Sequence, residues 1–377
     1  MMKKFVTIFE KTENIHLIKD VGQIPYLMHK QYGYDATIVT VKNSKDYSYL
    51  EDEVKGLKLK FIPKLKFGRY SIATIYYLLV NAKKIDVLHL FHHREPTYIY
   101  AMIYKKLNPL GHLYVKSDKG YRDIVNNDGF FNMSKKRHQK RDKLFNKALA
   151  YIDTISVENE GSYDFLIKKY PKNKEKFFYL TNALDLDAFY KKIPPLDFDK
   201  KENLILTVGR IGAKEKNNQM LLDALSKVDL KTWRVELIGP IEKEFQNNIE
   251  LFYKKNPHLK DKVVFTGAIM DRKILLDYYA RAKLFCLTSI EESFGFVMIE
   301  AMAYGNYIIT TDVSSARDIT NEEKYGKIIN TKESLSKTIQ NIISEEVLNE
   351  TLSSNITSYA KNRYNWRSVL FKLVQRF

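Results

Sequence analysis

Short runs of β-branched and aromatic residues alternate with segments of helical period along this chain, and past its midpoint the alternation starts afresh. That rhythm belongs to strand–helix–strand units, which pack as a parallel sheet with helices on both faces. In the first half strands are expected at 4–10, 35–41, 57–63, 86–92, 112–118, 153–159 and 176–182. In the second they are expected at 203–210, 233–240, 262–269, 283–289 and 307–313. Between the two sets, the stretch FYKKIPPLDFDKKEN (189–203) carries two prolines and mixed charge without a period, and reads as a linker. The expected class is therefore α/β: two doubly wound parallel-sheet domains, residues 1–185 and 186–361, facing across a cleft. In such sheets ligands lie beyond the carboxyl ends of the strands, so the chemistry belongs in the loops that follow them.

The bulk numbers agree with two globular domains. A chain of 377 residues outgrows a single core, and 45% hydrophobic with 28% charged residues excludes a disordered chain. The single cysteine, Cys286, has no partner for an internal disulfide, which favours a reducing cytoplasm. The start, MMKKFVTIFEKTE, turns polar too soon for a secretory leader. The longest apolar run, 70–82, falls short of the roughly 20 residues that span a bilayer. Net charge is +17 and uneven: residues 1–185 hold 33 Lys and Arg against 20 Asp and Glu, residues 186–377 hold 29 against 25. Nucleic acid is one reading of that excess, an anionic membrane face with an anionic substrate is another, and a generally lysine-rich composition is a third.

Two stretches carry chemistry. After LILTV comes GRIGAKEKNNQMLLDAL (209–225), a glycine-bearing loop bracketed by Arg210 and Lys216 before an amphipathic helix. A guanidinium fork and an ammonium at such a turn suit a diphosphate, although two solvated surface cations would read the same. The other stretch is SIEESFGFVMIEAMAYG (289–305), with Glu292 and Glu300 flanking a Phe-Gly-Phe turn. Its helix, expected from about Ser293 to Tyr304, is apolar nearly all round and so buried. A buried Glu300 needs donors, and two ribose hydroxyls supply them, so the expectation is that no protein side chain satisfies it. Glu292 reaches a sugar, the amides of Phe294, Gly295 and Phe296 face an anion, and Gly295 lets backbone come close. The alternative makes Glu292 a capping acid and pairs Glu300 with a neighbouring helix. Neither a dinucleotide-binding GxGxxG nor a P-loop occurs.

EESFGFVMIEAMAYG resembles the E-x7-E segment of glycosyltransferase family 4, and TVGRIGAKEKNNQMLLDAL resembles that family's VGR segment. VVFTG, LLDYYARAKLFCLTS and TNALD resemble its intervening and inter-domain pieces, so the likeness runs best over about 176–330. The resemblance implies a GT-B arrangement of two Rossmann-like domains, with a helix at about 362–377 packing back on the first. It also implies retaining, metal-independent transfer from a nucleotide-sugar, a UDP-sugar favoured, and no resident cofactor. By that match Arg210 and Lys216 hold the donor diphosphate and Glu300 the ribose. Glu292 and the backbone of Phe294, Gly295 and Phe296 meet the sugar, and the base lies against Gly267 onward. The first domain departs from the pattern. Its first loop offers only KDVGQIP, with Gly22 as its glycine for the donor, and Asp118 stands where relatives place a histidine. Asp118 would stabilise positive charge on the sugar or orient a hydroxyl, unless it merely caps a turn. His92 and His93, at another strand end, are candidates to touch acceptor or donor. Without carboxylate or cysteine company they do not read as a metal site.

The triplets Asp185–Asp187 and Asp197–Asp199 read as solvated surface rather than metal ligands. Two basic aromatic segments, 56–79 and 134–147, suit the anionic interface of a membrane, where a glycan or lipid-linked acceptor would be met. Ordinary solvated helices explain them equally. The acids of 289–305 with Arg210 and Lys216 count against nucleic acid as partner. Other chemistries on the same fold, a nucleotide-sugar epimerase or a phosphorylase, remain as rivals, as does a non-catalytic partner protein. The expected setting is the cytoplasm, with peripheral contact at the inner face of the plasma membrane.

Overall fold

The computed structural model describes residues 2–131, 136–345 and 347–377, with the side chain of Arg137 left out. Two compact units result, Met1–Asn182 joined by Val369–Phe377, and Ala183–Ser368. Ser134 and Lys135 of the second basic segment lie outside the described residues.

The first unit contains β1 (Lys4–Ile8), β2 (Asp35–Thr40), β3 (Lys58–Phe61), β4 (Lys66–Phe67), β5 (Tyr70–Ser71), β6 (Val87–Phe91), β7 (His112–Lys116), β8 (Thr154–Val157) and β9 (Phe177–Tyr179). Seven of these form a parallel sheet in the order β3-β2-β1-β6-β7-β8-β9, and β4 and β5 make a separate antiparallel hairpin. All seven expected strands are present. The hairpin escaped sequence reading because two-residue strands are too short to show a period. β6 is buried on both faces, as a central strand of a covered parallel sheet should be.

The second unit contains β10 (Glu202–Val208), β11 (Arg234–Ile238), β12 (Val263–Gly267), β13 (Ala282–Leu287), β14 (Tyr307–Thr311) and β15 (Gly326–Ile329). They form one parallel sheet in the order β12-β11-β10-β13-β14-β15. The five expected strands are there, and β15 (GKII) adds a sixth. The supposed linker is not one. Its start belongs to the helix Leu186–Lys192, Phe189, Tyr190, Ile193 and Leu196 pack on the second unit's core, and the Tyr190 hydroxyl donates to the Ala303 carbonyl at 2.8 Å. Mixed charge hid an amphipathic turn whose apolar side is buried.

Each sheet reverses its strand order once near the middle, between β1 and β6 in the first unit and between β10 and β13 in the second. Right-handed crossovers then leave in opposite directions and open a crevice at the carboxyl ends. Both candidate sites lie there.

Candidate active site

In the second unit, β10 ends at Val208 and the chain turns through Gly209 and Arg210 into a short turn, Lys214–Lys216, and the helix Asn218–Leu225. Gly239, at the end of β11, has φ 147°, and a Cβ there would fall 1.7 Å from the Gly209 carbonyl oxygen. The neighbouring strand ends therefore require glycine to approach this closely. From β13 the chain passes through Thr288–Glu292 into the helix Phe296–Ala303, whose cap residue Gly295 has φ 88°. That left-handed turn is closed to most side chains, and a Cβ would also strike Met298 at 2.5 Å. The helix begins later than the sequence implied because the Phe-Gly-Phe turn is spent on this reversal.

The two loops are laced together. The Ile290 amide donates to the Glu215 carbonyl at 2.8 Å, and the Thr288 hydroxyl donates to the carbonyls of Lys216 and Asn217 at 3.2 and 3.1 Å. Lys216 Nζ lies 2.5 Å from Glu292 Oε1, which also accepts from the Ser289 hydroxyl at 2.8 Å. Arg210, on the exposed side, pairs with Glu215 and lies 3.8 Å from Glu242. Phe294 is buried, and its carbonyl accepts from the Ser315 hydroxyl, so its side chain is core while its backbone edges the turn. The Phe296 ring is half-buried against Phe294.

Glu300 is buried, as its apolar helix required, but it is not without a protein partner. Arg272 Nη2 donates to Glu300 Oε1 at 2.5 Å from the helix Arg272–Arg281. The expectation that only ligand hydroxyls would satisfy this acid is corrected. Burial, then the charge of Glu300, push the phenol of the fully buried Tyr279 well above its ordinary pKa. Arg272 and Tyr279 went unnoticed in the sequence. The only local signal was Asp271, which caps their helix by accepting from the Lys273 amide at 2.7 Å. Gly267, at the end of β12, adopts φ 78° with open space where a Cβ would stand.

In the first unit, His92 follows β6 in a left-handed conformation, φ 65°, uncommon for a non-glycine residue. Its Nδ1 lies 2.7 Å from Asp118 Oδ1, beyond the end of β7. Burial opposes the Asp118 charge, but the His92 hydrogen bond and the His92 and Lys116 charges outweigh it and bring its pKa down to about 2. His93 instead is core: it stacks on Phe130 at 3.6 Å, its Nδ1 meets the Tyr98 hydroxyl at 3.0 Å, and burial brings its pKa down to about 3. Gly22 lies not in a loop but in the first turn of the helix Asp20–Tyr32, where a Cβ would fall 2.2 Å from the Leu17 carbonyl oxygen. That contact is reason enough for glycine. In the same turn Asp20 pairs at 3.0 Å with the fully buried Lys116, which also binds Glu158. Of the aspartate triplets, Asp185 caps a helix by accepting from the Ala188 amide at 3.1 Å, and Asp197 pairs with Lys200 at 2.5 Å.

A doubly wound sheet whose strand-end loops carry cations, paired carboxylates and a glycine cap offers a polar ligand site at its topological switch point. Residues 189–363 match the family model described as Glycosyl transferases group 1, and the chain has the GT-B fold of two Rossmann-like parallel sheets. Among known proteins it is 28% identical to the capsular polysaccharide biosynthesis glycosyltransferase CapM of Staphylococcus aureus, over 59% of this chain and 55% of CapM. It is 26% identical to the N-acetylgalactosamine-N,N'-diacetylbacillosaminyl-diphospho-undecaprenol 4-alpha-N-acetylgalactosaminyltransferase of Campylobacter jejuni, over 55% of this chain and 56% of that one. The chain thus spans a little over half the length of these two relatives. The structure of Anabaena HepE in complex with UDP superposes with a TM-score of 0.72 at 15% identity, covering 99% of both chains.

Proposed function

We propose that the protein is a retaining glycosyltransferase that moves a sugar from a nucleotide-sugar, a UDP-sugar favoured, to a glycan or lipid-linked acceptor in bacterial surface-polysaccharide or glycoconjugate synthesis. The observation that carries this reading is the set of cation–carboxylate pairs at the β10–β13 reversal, Lys216 with Glu292 and Arg272 with Glu300. The names of the capsular and undecaprenol-linked relatives support the acceptor class, and the UDP of the HepE structure supports the nucleotide.

In this reading the donor diphosphate draws Lys216 from Glu292 and Arg210 from Glu215, so the ligand replaces one anion by another at little desolvation cost. Glu292, released, accepts from the sugar, beside the backbone of Phe294, Gly295 and Phe296. Glu300 keeps Arg272 on one oxygen and offers the other to the ribose, and the base rests by Gly267. Transfer is front-face. The anomeric carbon–oxygen bond to the diphosphate breaks as the bond to the acceptor oxygen forms on the same side, and the acceptor proton passes to the departing diphosphate oxygen. Arg210, Lys216 and backbone amides, rather than a metal ion or cofactor, balance the leaving charge. Asp118, oriented by His92, stabilises positive charge on the sugar. No helix of the described residues is long and apolar enough to cross a membrane. We place the enzyme in the cytoplasm, with the basic segments 56–79 and 134–147 meeting an anionic inner leaflet.

Thermal shift against UDP-, GDP- and ADP-sugars tests the reading. One UDP-sugar at a hundredfold excess over its Kd should raise Tm by about 5–10 °C. A flat response to the whole panel would sink it.

A further inference from the structure

Lys201 lies just before β10, at the amino edge of the second sheet and opposite the loops of the donor site, yet it is only 5% exposed. Its Nζ donates to three carbonyls, those of Ala280 and Ala282 at 2.9 Å each and that of Tyr304 at 2.7 Å. We propose that Lys201 is a positioning residue of the donor site, whose ammonium ties together the ends of the helices Arg272–Arg281 and Phe296–Ala303 and so sets where Glu300 meets the ribose. The proposal rests on the transferase reading above and adds to it a residue that acts through others.

Geometry is the first ground. Ala280 follows Tyr279 directly, and Tyr304 comes one helical turn after Glu300. The backbone under both side chains is therefore fixed from one point. An ammonium has three N–H groups, and each finds an acceptor here among carbonyls that helix ends otherwise leave unpaired. A cation in this place also faces the negative ends of two helix dipoles. Asn306 Nδ2 reinforces the tie, donating to the carbonyls of Tyr279 at 2.9 Å and Ala282 at 2.8 Å. In the first turn of its helix Arg272 meets Glu300 at 2.5 Å, its guanidinium 4.8 Å from the centre of the Phe189 ring. Sliding of one helix along the other would part that pair, and the shared ammonium opposes such sliding.

The second ground is charge. The three acceptors are carbonyl dipoles rather than a carboxylate, so burial weighs heavily and brings the Lys201 pKa down to about 7. The charged groups that face it have partners of their own. Glu350, on the helix Glu350–Arg363, favours the charged form and accepts from the Phe198 amide at 2.7 Å and the Ser354 hydroxyl at 2.9 Å. Lys283, on β13, opposes it and donates to Asn203 Oδ1 at 2.8 Å. Glu202, next along the chain, pairs with Arg234 at 2.5 Å and Arg281 at 2.8 Å. Burial holds the phenols of Tyr279 and Tyr304 far above neutrality. The tie is thus fully charged below pH 7 and loses one donor as the ammonium deprotonates above it.

Calorimetric titration with UDP, its 2′,3′-dideoxy analogue and inorganic diphosphate tests this, because the two nucleotides differ only in the ribose hydroxyls assigned to Glu300. Wild type should bind UDP about tenfold or more tighter than the dideoxy analogue. In Lys201→Met, which keeps an unbranched side chain without the charge, that ratio should fall to about threefold or less while the affinity for inorganic diphosphate stays unchanged. Lys201→Arg, whose guanidinium can donate to the same carbonyls, should recover the ratio. The wild-type ratio should also fall as pH is raised from about 6 to 9 through the Lys201 pKa, and since both nucleotides carry the same diphosphate its own titration cancels. Such a fall is not unfolding. A lysine whose folded pKa lies below its unfolded 10.5 makes the fold more stable as pH rises from 7 to 10.5, because the unfolded chain then holds the extra proton. An undiminished ratio in Lys201→Met overturns the proposal, as does equal loss of UDP and diphosphate binding, which would make Lys201 a strut of the whole unit. Should Lys201→Met not fold, a wild-type ratio that stays level over the same pH range overturns it. Wild-type protein that binds UDP and its dideoxy analogue alike speaks instead against Glu300 as the ribose ligand, and so against the donor reading.

Discussion

The two sheets reverse at corresponding places, yet charge is handled differently at the two carboxyl edges. At the β10–β13 edge Arg210, Lys216 and Arg272 each face a carboxylate, Glu215, Glu292 and Glu300 respectively. At the β1–β6 edge cations outnumber carboxylates, and one carboxylate, Glu95, serves two arginines. Evenly paired charges hold their geometry without a ligand and bind an anion by exchange, which favours selectivity over raw attraction. A surplus pulls anions in without a partner to displace, which favours capture.

Lys216→Ala strikes the paired edge hardest. It removes the ammonium proposed for the diphosphate and leaves Glu292, only 14% exposed, with the Ser289 hydroxyl as its remaining polar side-chain contact among the described residues. Turnover of a UDP-sugar should fall about 10²–10³-fold, as when one preorganised donor is deleted from a charged transition state. Steady-state kinetics on the folded variant read this directly. A near-normal kcat would mean that Lys216 only braces a loop, and the contrast between the edges would lose its functional meaning.

A smaller effect sharpens the same comparison through stability. Glu300→Gln keeps the shape of the side chain but leaves the Arg272 guanidinium, 14% exposed, facing a neutral amide. Unfolding of the ligand-free protein should become easier by about 1–3 kcal/mol. Gln substitution of Glu13, which belongs to the surplus edge and is exposed, should move stability by no more than about 0.5 kcal/mol. If the two variants melt alike, the pairing at the second edge is incidental.

Much of this was legible in the sequence, and the part that was not follows a rule. Parallel strands buried on both faces write continuous apolar runs, so β6 and β13 announce themselves. GKII of β15 is four residues with a glycine and a lysine, which is too little apolar signal. The loops of Lys216 and Glu292 were readable because each follows its strand directly. Their mutual contact was not, nor was that of Arg272 with Glu300, since such pairs join distant segments that only the packed sheet brings together. Gly22 shows the converse: a glycine expected in a loop serves helix packing against Leu17.

The subtlest prediction concerns Asp118, a carboxylate beyond the first unit's strand ends that pairs with His92. Asp118 titrates at about 2 in the folded chain against 3.8 ordinarily, because the His92 hydrogen bond and nearby positive charge outweigh burial. A carboxyl with a depressed folded pKa gives stability that is fully present above its unfolded value and is lost as pH falls through the folded one. The window is therefore pH 4 to 2. With Asp118 partly open to solvent, the contribution is modest and screened by salt. Asp118→Asn should flatten the acid limb of the stability profile in that window and leave the melting temperature at pH 7 only slightly lower. The same variant should lose far more in turnover than in stability if Asp118 stabilises charge on the sugar. An acid limb identical to that of the wild type would show that His92 and Asp118 do not pair in solution. The left-handed turn at His92 would then need another explanation.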